Sequence, residues 1–307
     1  MSEPQTLIDS HHHFWALDGS VHYPWLEDEV DDHFFLGDYQ RIRQPFLPAD
    51  IRAQVPEGYR LAGTVHCEAE SARSAPEVET AWLAQLAEQQ GLPIALVGWA
   101  AFADVACEVQ LDQQMRSPLF RGVRAKPITA GRPDQYCSTL GVRGSLQDRN
   151  WTRGLGMLEE RDLSWDLRVP AWHLADAARL LEGYPALRVI LNHTGLPWDR
   201  SDAGLAEWRK GMQALADNPR VAVKLSELGS PMAAWDEQQN IALLAEAITI
   251  FGPERCIFAS NFPVTGLNAS YAHWLAMVEQ AIADAASEAR QAILHDNAVR
   301  LYRLATG

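Results

Sequence analysis

Short apolar runs alternate with longer stretches of helical periodicity along most of the chain. The runs are "TLID" at 6–9, "LAGTVHCEA" at 61–69, "PIALVGWAAF" at 93–102 and "FRGVRAKP" at 120–127. "LSWDLRVP" at 163–170, "ALRVILNHTG" at 186–195, "RVAVKLSEL" at 220–228 and "RCIFASNFPV" at 255–264 complete the set. Each has strand length and composition. Between them, 75–91 has the alanine–leucine spacing of a helix, with Glu77 and Glu79 in its first turn and Gly91 as its stop. Similar helical patterns cover 171–184, 204–218 and 239–252. Eight strands separated by helices predict an α/β protein, a (β/α)8 TIM barrel, as a single domain over residues 1–307. No internal repeat, low-complexity tract or linker interrupts it. The stretch from Leu17 to Pro48 is rich in Trp, Asp, Pro and Phe. It is too long and irregular for a plain connection, so it reads as an active-site lid inserted after strand 1.

Composition narrows the classes. A formal charge of −14 argues against a nucleic-acid partner, which requires a basic footprint. An anionic substrate would then need a local basic pocket. Cys67, Cys107, Cys137 and Cys256 form no CxxC pair and read as reduced thiols. The first residues lack the basic-then-apolar order of a signal segment, and no run reaches membrane-spanning length. The expectation is a cytoplasmic protein with a small-molecule substrate and no membrane partner; a homo-oligomer is compatible with it.

Barrel architecture gives weight to polar residues at the C-terminal ends of strands. They gather there: His11 and His13, then His66 and Glu68, then Arg121, Arg124 and Lys126, then His173. Asn192 with His193, Lys224 with Ser226 and Glu227, and Ser260 with Asn261 follow. In "TLIDSHHHFW" alternate side chains share a face, so His11 and His13 point one way and His12 the other. Two imidazoles on one face suit a divalent metal or an anionic substrate. Glu68 could join them as a ligand, hydrogen-bond His13 from behind, or be an ion-paired strand end. Arg124 offers a planar fork to a substrate carboxylate, and Lys126 a point charge, or the two pair with the chain's many acidic residues. His173 either faces the pocket or sits in the first turn of a helix. Trp15 and Trp25, with Trp151 and Trp172, form an aromatic wall or pack as anchors.

"LIDSHHHFW", "VILNHTGLP", "VKLSEL" and "IFASNFPV" together resemble the amidohydrolase superfamily, and most of all its amidohydrolase-2 branch, which includes sugar-acid and dicarboxylate lactonases. The resemblance runs from Ile8 to the "LHDNAVRLYRL" tail. It implies a distorted barrel that hydrolyses a carboxylic ester, here a small polar lactone of a sugar acid or a carboxylate-bearing ring. It matches His11 and His13 to the family's H-x-H, which with or without Glu68 would hold one divalent metal, zinc foremost, or the substrate carbonyl; some lactonases of the branch use no metal. It implies His193 as the residue that polarises the carbonyl or binds a carboxylate. The sequence departs from the family at Asn261, where many members carry the Asp that deprotonates water. An amide cannot be a general base. Either His193, Glu68 or Glu227 takes that role, polarisation alone suffices, or hydrolysis has been lost. A decarboxylating lyase and a binding-only descendant are the alternatives.

Overall fold

Eight parallel strands follow one another in sequence order: β1 (Gln5–His12), β2 (Tyr59–Cys67), β3 (Ala95–Gly98), β4 (Phe120–Val123), β5 (Ser164–Leu167), β6 (Arg188–Leu191), β7 (Val221–Leu225) and β8 (Cys256–Phe258). The computed structural model describes residues 3–30 and 34–305. The seam between β8 and β1 is closed at the mouth. His12 bridges Phe262, the His13 N–H donates to the Phe262 carbonyl at 2.8 Å, and the Asn261 N–H donates to the His11 carbonyl at 2.7 Å. Asp9 fastens the same seam by accepting from the Ser260 N–H and hydroxyl, at 2.9 and 2.5 Å.

The expected strands are all present, with different ends. β1 runs three residues beyond 6–9 and carries His11 and His12 inside it. β3, β6 and β8 are shorter than their apolar runs, because those runs continue past the sheet into buried loops. The helix expected over 171–184 spans only Leu174–Leu181 and follows a 3₁₀ turn at Ala171–His173. Helix Pro76–Gln90 stops at Gly91, whose φ of 74° is the left-handed cap that glycine supplies.

Strand parity decides what faces the barrel's interior. Ile8, Val65, Cys67, Val97, Ile190, Ala222 and Ile257 form the inner cluster, closed at the bottom by Ala298, Leu301 and Tyr302 of the last helix. Their neighbours Leu7, Leu96, Trp165, Leu167, Val189 and Val223 face the surrounding helices. With a period of two, Asp166 and Arg168 share the inner parity of β5, and Lys224 and Ser226 that of β7. β1 breaks the period. Asp9 pairs with Thr64 but His12 with His66, three residues against two, so a bulge lies between them. Without it Ile8 would carry His12 inward. With it, His11 and His13 turn in together, their rings 5.1 Å apart, and His12 packs on Phe14 at 4.0 Å.

The segment 17–48 lies between β1 and β2 and holds the short helix Pro24–Glu27. It brings Trp25, Phe34 and Phe35 over the mouth; its residues 31–33 lie outside the described residues. Among the described residues no helix is long and apolar enough to cross a membrane.

Candidate active site

The floor of the site is an ion pair in the barrel's interior. Lys224 Nζ lies 2.6 Å from Asp166 Oδ2, and neither side chain is exposed at all. Tyr302 donates its hydroxyl to Asp166 at 3.0 Å from below. Lys224 also donates to His11 Nδ1 at 3.1 Å. That bond uses the Nδ1 lone pair, so neutral His11 carries its proton on Nε2. Nε2 is buried and has no partner among the described residues. Burial first, then Lys224, holds His11 well below the usual histidine range.

Above the floor opens a cavity of about 350 Å³, the size of a small-molecule site. His13, His193, Asn261, Arg124, Lys126 and Arg168 line it, with the rings of Trp25, Phe34, Phe35 and Trp198. His13 Nδ1 lies 2.7 Å from the Cys67 carbonyl and must donate to it, since a carbonyl only accepts. In the neutral ring its Nε2 then carries a lone pair, which faces Asn261 Oδ1 at 3.1 Å with no proton between them. Asn261 Nδ2 in turn donates to Glu227 at 3.0 Å. Glu227 takes further hydrogen bonds from the Thr265 hydroxyl and the Gly229 N–H, so both its oxygens are engaged.

His193 sits on an unusual turn. His193, Thr194, Gly195 and Leu196 have φ of 56°, 53°, 70° and 44°, four left-handed residues in a row. Only the glycine adopts this freely; each of the others costs about 1–2 kcal/mol. Packing and hydrogen bonds hold the turn. The Thr194 hydroxyl reaches the Lys224 and Ser226 carbonyls at 3.3 Å, and Trp208 Nε1 donates to the Thr194 carbonyl at 2.8 Å. His193 Nδ1 lies 3.0 Å from Ser226 Oγ. Burial, then Arg168 and Arg124, keeps this imidazole well below its ordinary pKa and therefore neutral at pH 7. Glu70, Glu227 and Asn261 are also left-handed, at 58°, 35° and 54°. Backbone strain thus collects around this cavity.

Several sequence-based expectations are corrected. Glu68 is neither beside His13 nor in the cavity wall. Cys67 points inward, so Glu68 points outward, where Arg124 Nε and Arg73 Nη1 each approach its carboxylate to 2.8 Å. Burial would raise its pKa, but Arg73 and Arg124 outweigh that and hold it low. An anion so engaged is neither a metal ligand nor a base. Arg124 accordingly spends Nε and one Nη on Glu68; its Nη1 has no partner among the described residues. Lys126 pairs with Glu70. His173 does not reach the cavity: its Nε2 accepts from the Ala130 N–H at 3.0 Å, and it packs on Tyr136. Trp15 is fully buried behind Trp25 and donates to the Gln44 carbonyl. Trp151 and Trp172 are packing anchors, while Trp25 does line the cavity. Arg121 bonds to nearby carbonyls away from it. Sequence reasoning missed Arg168, Trp198, Glu70, Phe34 and Phe35. For Arg168 a signal existed, since it lies two residues past Asp166 on the same parity.

Polar and strained residues gathered at the C-terminal ends of barrel strands define a (β/α)8-barrel enzyme. The chain belongs to the amidohydrolase family: the family model Amidohydro_2, described as amidohydrolase, matches residues 8–304. A Sinorhizobium fredii protein called y4mH is 35% identical, over 97% of this chain and 98% of its own. An L-fucono-1,5-lactonase of Burkholderia multivorans is 29% identical, over 97% of this chain and 96% of its own. A crystal structure of an amidohydrolase from Burkholderia multivorans with bound zinc is 26% identical and superposes with a TM-score of 0.77, covering 98% of this chain and all of that one.

The residues present can be tested against a metal. His11, Cys67 and Asp166 bring possible ligand atoms within 4.8 Å of one another. Two features oppose a divalent ion there. The Lys224 ammonium already bonds Asp166 and His11 Nδ1. His11 Nε2 then bears a proton rather than a lone pair. This donor set does not fit a divalent metal while Lys224 stands in it.

Proposed function

We propose that the protein is a hydrolase that opens a small polar lactone, and that it does so with its own side chains. The observation that carries this is His193, a neutral imidazole fixed on a left-handed turn at the cavity wall. Its relatives named as lactonases support the bond type.

In the tautomer that serves as base, His193 Nδ1–H donates to Ser226 Oγ and the Nε2 lone pair faces the cavity. Nε2 takes a proton from water as the water oxygen attacks the lactone carbonyl carbon. Negative charge then develops on the carbonyl oxygen, and the uncommitted Nη1 of Arg124 is suited to meet it. The intermediate collapses by breaking the ring C–O bond. The proton on Nε2 passes to the departing oxygen, and a hydroxy acid leaves. Asn261 takes no proton. Its amide donates to Glu227 and holds its oxygen at the cavity wall beside His13. The Lys224–Asp166 pair closes the floor and presents one ammonium N–H to His11.

A panel of five- and six-membered sugar-acid lactones, followed by proton release, tests this. Turnover that falls by about 10²-fold or more in His193→Asn, with folding intact, is expected. Carbon dioxide release from an aromatic acid with no lactone opening would overturn the proposal in favour of a lyase.

A further inference from the structure

The mouth of the barrel is a basic focus in an acidic molecule, and its cations differ in one respect. Arg124 and Arg73 share Glu68, and Lys126 and Arg73 share Glu70. Arg168 has neither a hydrogen bond nor an ion pair among the described residues. It lines the cavity with its guanidinium carbon 5.3 Å from the Phe35 ring centroid and 5.7 Å from that of Trp198. Two aromatic faces hold a cation of fixed fork geometry and satisfy none of its N–H donors. A guanidinium carries five donors and no acceptor, so its complement is an anion, best a planar carboxylate gripped by two N–H groups.

We infer that Arg168, rather than Arg124, is the specificity-determining residue, and that it receives a carboxylate carried by the lactone in addition to the ester that is hydrolysed. The inference rests on the lactonase proposal for the nature of the scissile bond. The substrate class is therefore an acidic lactone, one ring ester and one free carboxylate. A neutral sugar lactone would leave the guanidinium desolvated and unpaired. Burial and the nearby Arg124 charge already lower Arg168 to about 10, a cost that a bound anion relieves. After burial, Arg168 is also the first charge that depresses His193. A carboxylate docked on it would thus make the base stronger in the complex than in the free enzyme.

The test uses two lactones that differ at one carbon: D-glucaro-1,4-lactone, with a carboxylate at C6, and D-glucono-1,4-lactone, with a hydroxymethyl there. The wild type is expected to favour the acidic lactone in kcat/KM. In Arg168→Gln the ratio of acidic to neutral kcat/KM should fall about thirtyfold or more, and Arg168→Lys should recover part of it, since a point charge replaces a fork. A ratio that stays within about twofold of wild type in Arg168→Gln, or a wild type that favours the neutral lactone, overturns the inference. If neither lactone is opened, the lactonase proposal fails on its own, and the inference is read from calorimetry with D-glucarate. Binding weakened about thirtyfold or more in Arg168→Gln supports it, and equal binding overturns it.

Discussion

Two cations on the inner face of the same barrel, Lys224 and Arg168, have opposite surroundings. Lys224 lies at the floor with no exposure, 2.6 Å from Asp166 and 3.1 Å from His11, in a place that three metal-ligand side chains also reach. Arg168 lies at the mouth, half-buried, with aromatic rings for neighbours and no counterion among the described residues. The floor cation is committed to Asp166 and His11 and does structural and electrostatic work. The mouth cation is uncommitted and waits for a ligand. Residue type and strand position alone do not separate these roles; hydrogen-bond accounting does. By the same accounting Arg124 and Lys126 fall between the two, each tied to a glutamate yet still facing the cavity.

The largest effect is expected where the floor meets the chemistry. His193→Asn should lower kcat by about 10²–10⁴-fold, the usual span for a general base, with the thermal midpoint little changed. A loss below about tenfold would move the base elsewhere.

Next comes the floor pair itself. Lys224→Met leaves Asp166 as a buried carboxylate without its cation, which should destabilise the protein by about 3–5 kcal/mol. Lys224→Met combined with Asp166→Asn should recover much of that in a denaturant titration. The single variant also empties the place between His11, Cys67 and Asp166. Cobalt added to it should give a thiolate charge-transfer band that Cys67→Ser removes, and the wild type should show none. A wild type that shows the band would contradict the committed-lysine description.

Asn261→Asp tests the wall between floor and mouth. It would set a carboxylate about 3 Å from Glu227, where two negative charges oppose each other. A fall in kcat/KM of about tenfold is expected, with one of the two carboxyls titrating high. A rise would mean that a base had been missing from strand eight.

The smallest effect per residue is spread over the buried imidazoles. His11, His12, His13 and His193 all have folded pKa values well below the usual 6.5, burial being the main cause. They are neutral in the fold and take up protons when the chain unfolds. Their contribution to stability is complete above about pH 6.5 and is lost as the pH falls below it. Each contributes a slope of up to about 1.4 kcal/mol per pH unit between 6.5 and its folded value. Denaturant titrations at pH 7.5, 6 and 5 check this. The lowered His193 value also means that kcat/KM should hold up well below pH 6.5.

Much of the fold was legible, because eight apolar runs separated by helical periodicity admit few other arrangements. Strand ends were less so, since runs buried on both faces carry no alternation to mark where the sheet stops. The facing of His11 and His13 was expected from alternation along "DSHHH". Its physical basis is a bulge that no local signal announces, for the parity of Ile8 alone would have turned His12 inward. Glu68 shows the same difficulty in reverse. It ends a strand beside a histidine, yet parity sends it outward to two arginines. Sequence leaves His173 and Trp15 undecided between cavity and packing, because the partners that settle them, the Ala130 amide and the Gln44 carbonyl, lie 43 and 29 residues away. Arg168 was passed over because it sits inside an apolar run, although its parity with Asp166 placed it on the inner face.

The central claim is that this site opens a lactone with an internal lysine where a metal would otherwise find ligands. The most direct measurement is kcat/KM on the best lactone of the panel, taken on one preparation before and after exhaustive chelation, with bound metal determined in both samples. Full activity at a metal content far below one ion per chain is predicted. Activity that disappears on chelation and returns in proportion to added zinc would contradict it.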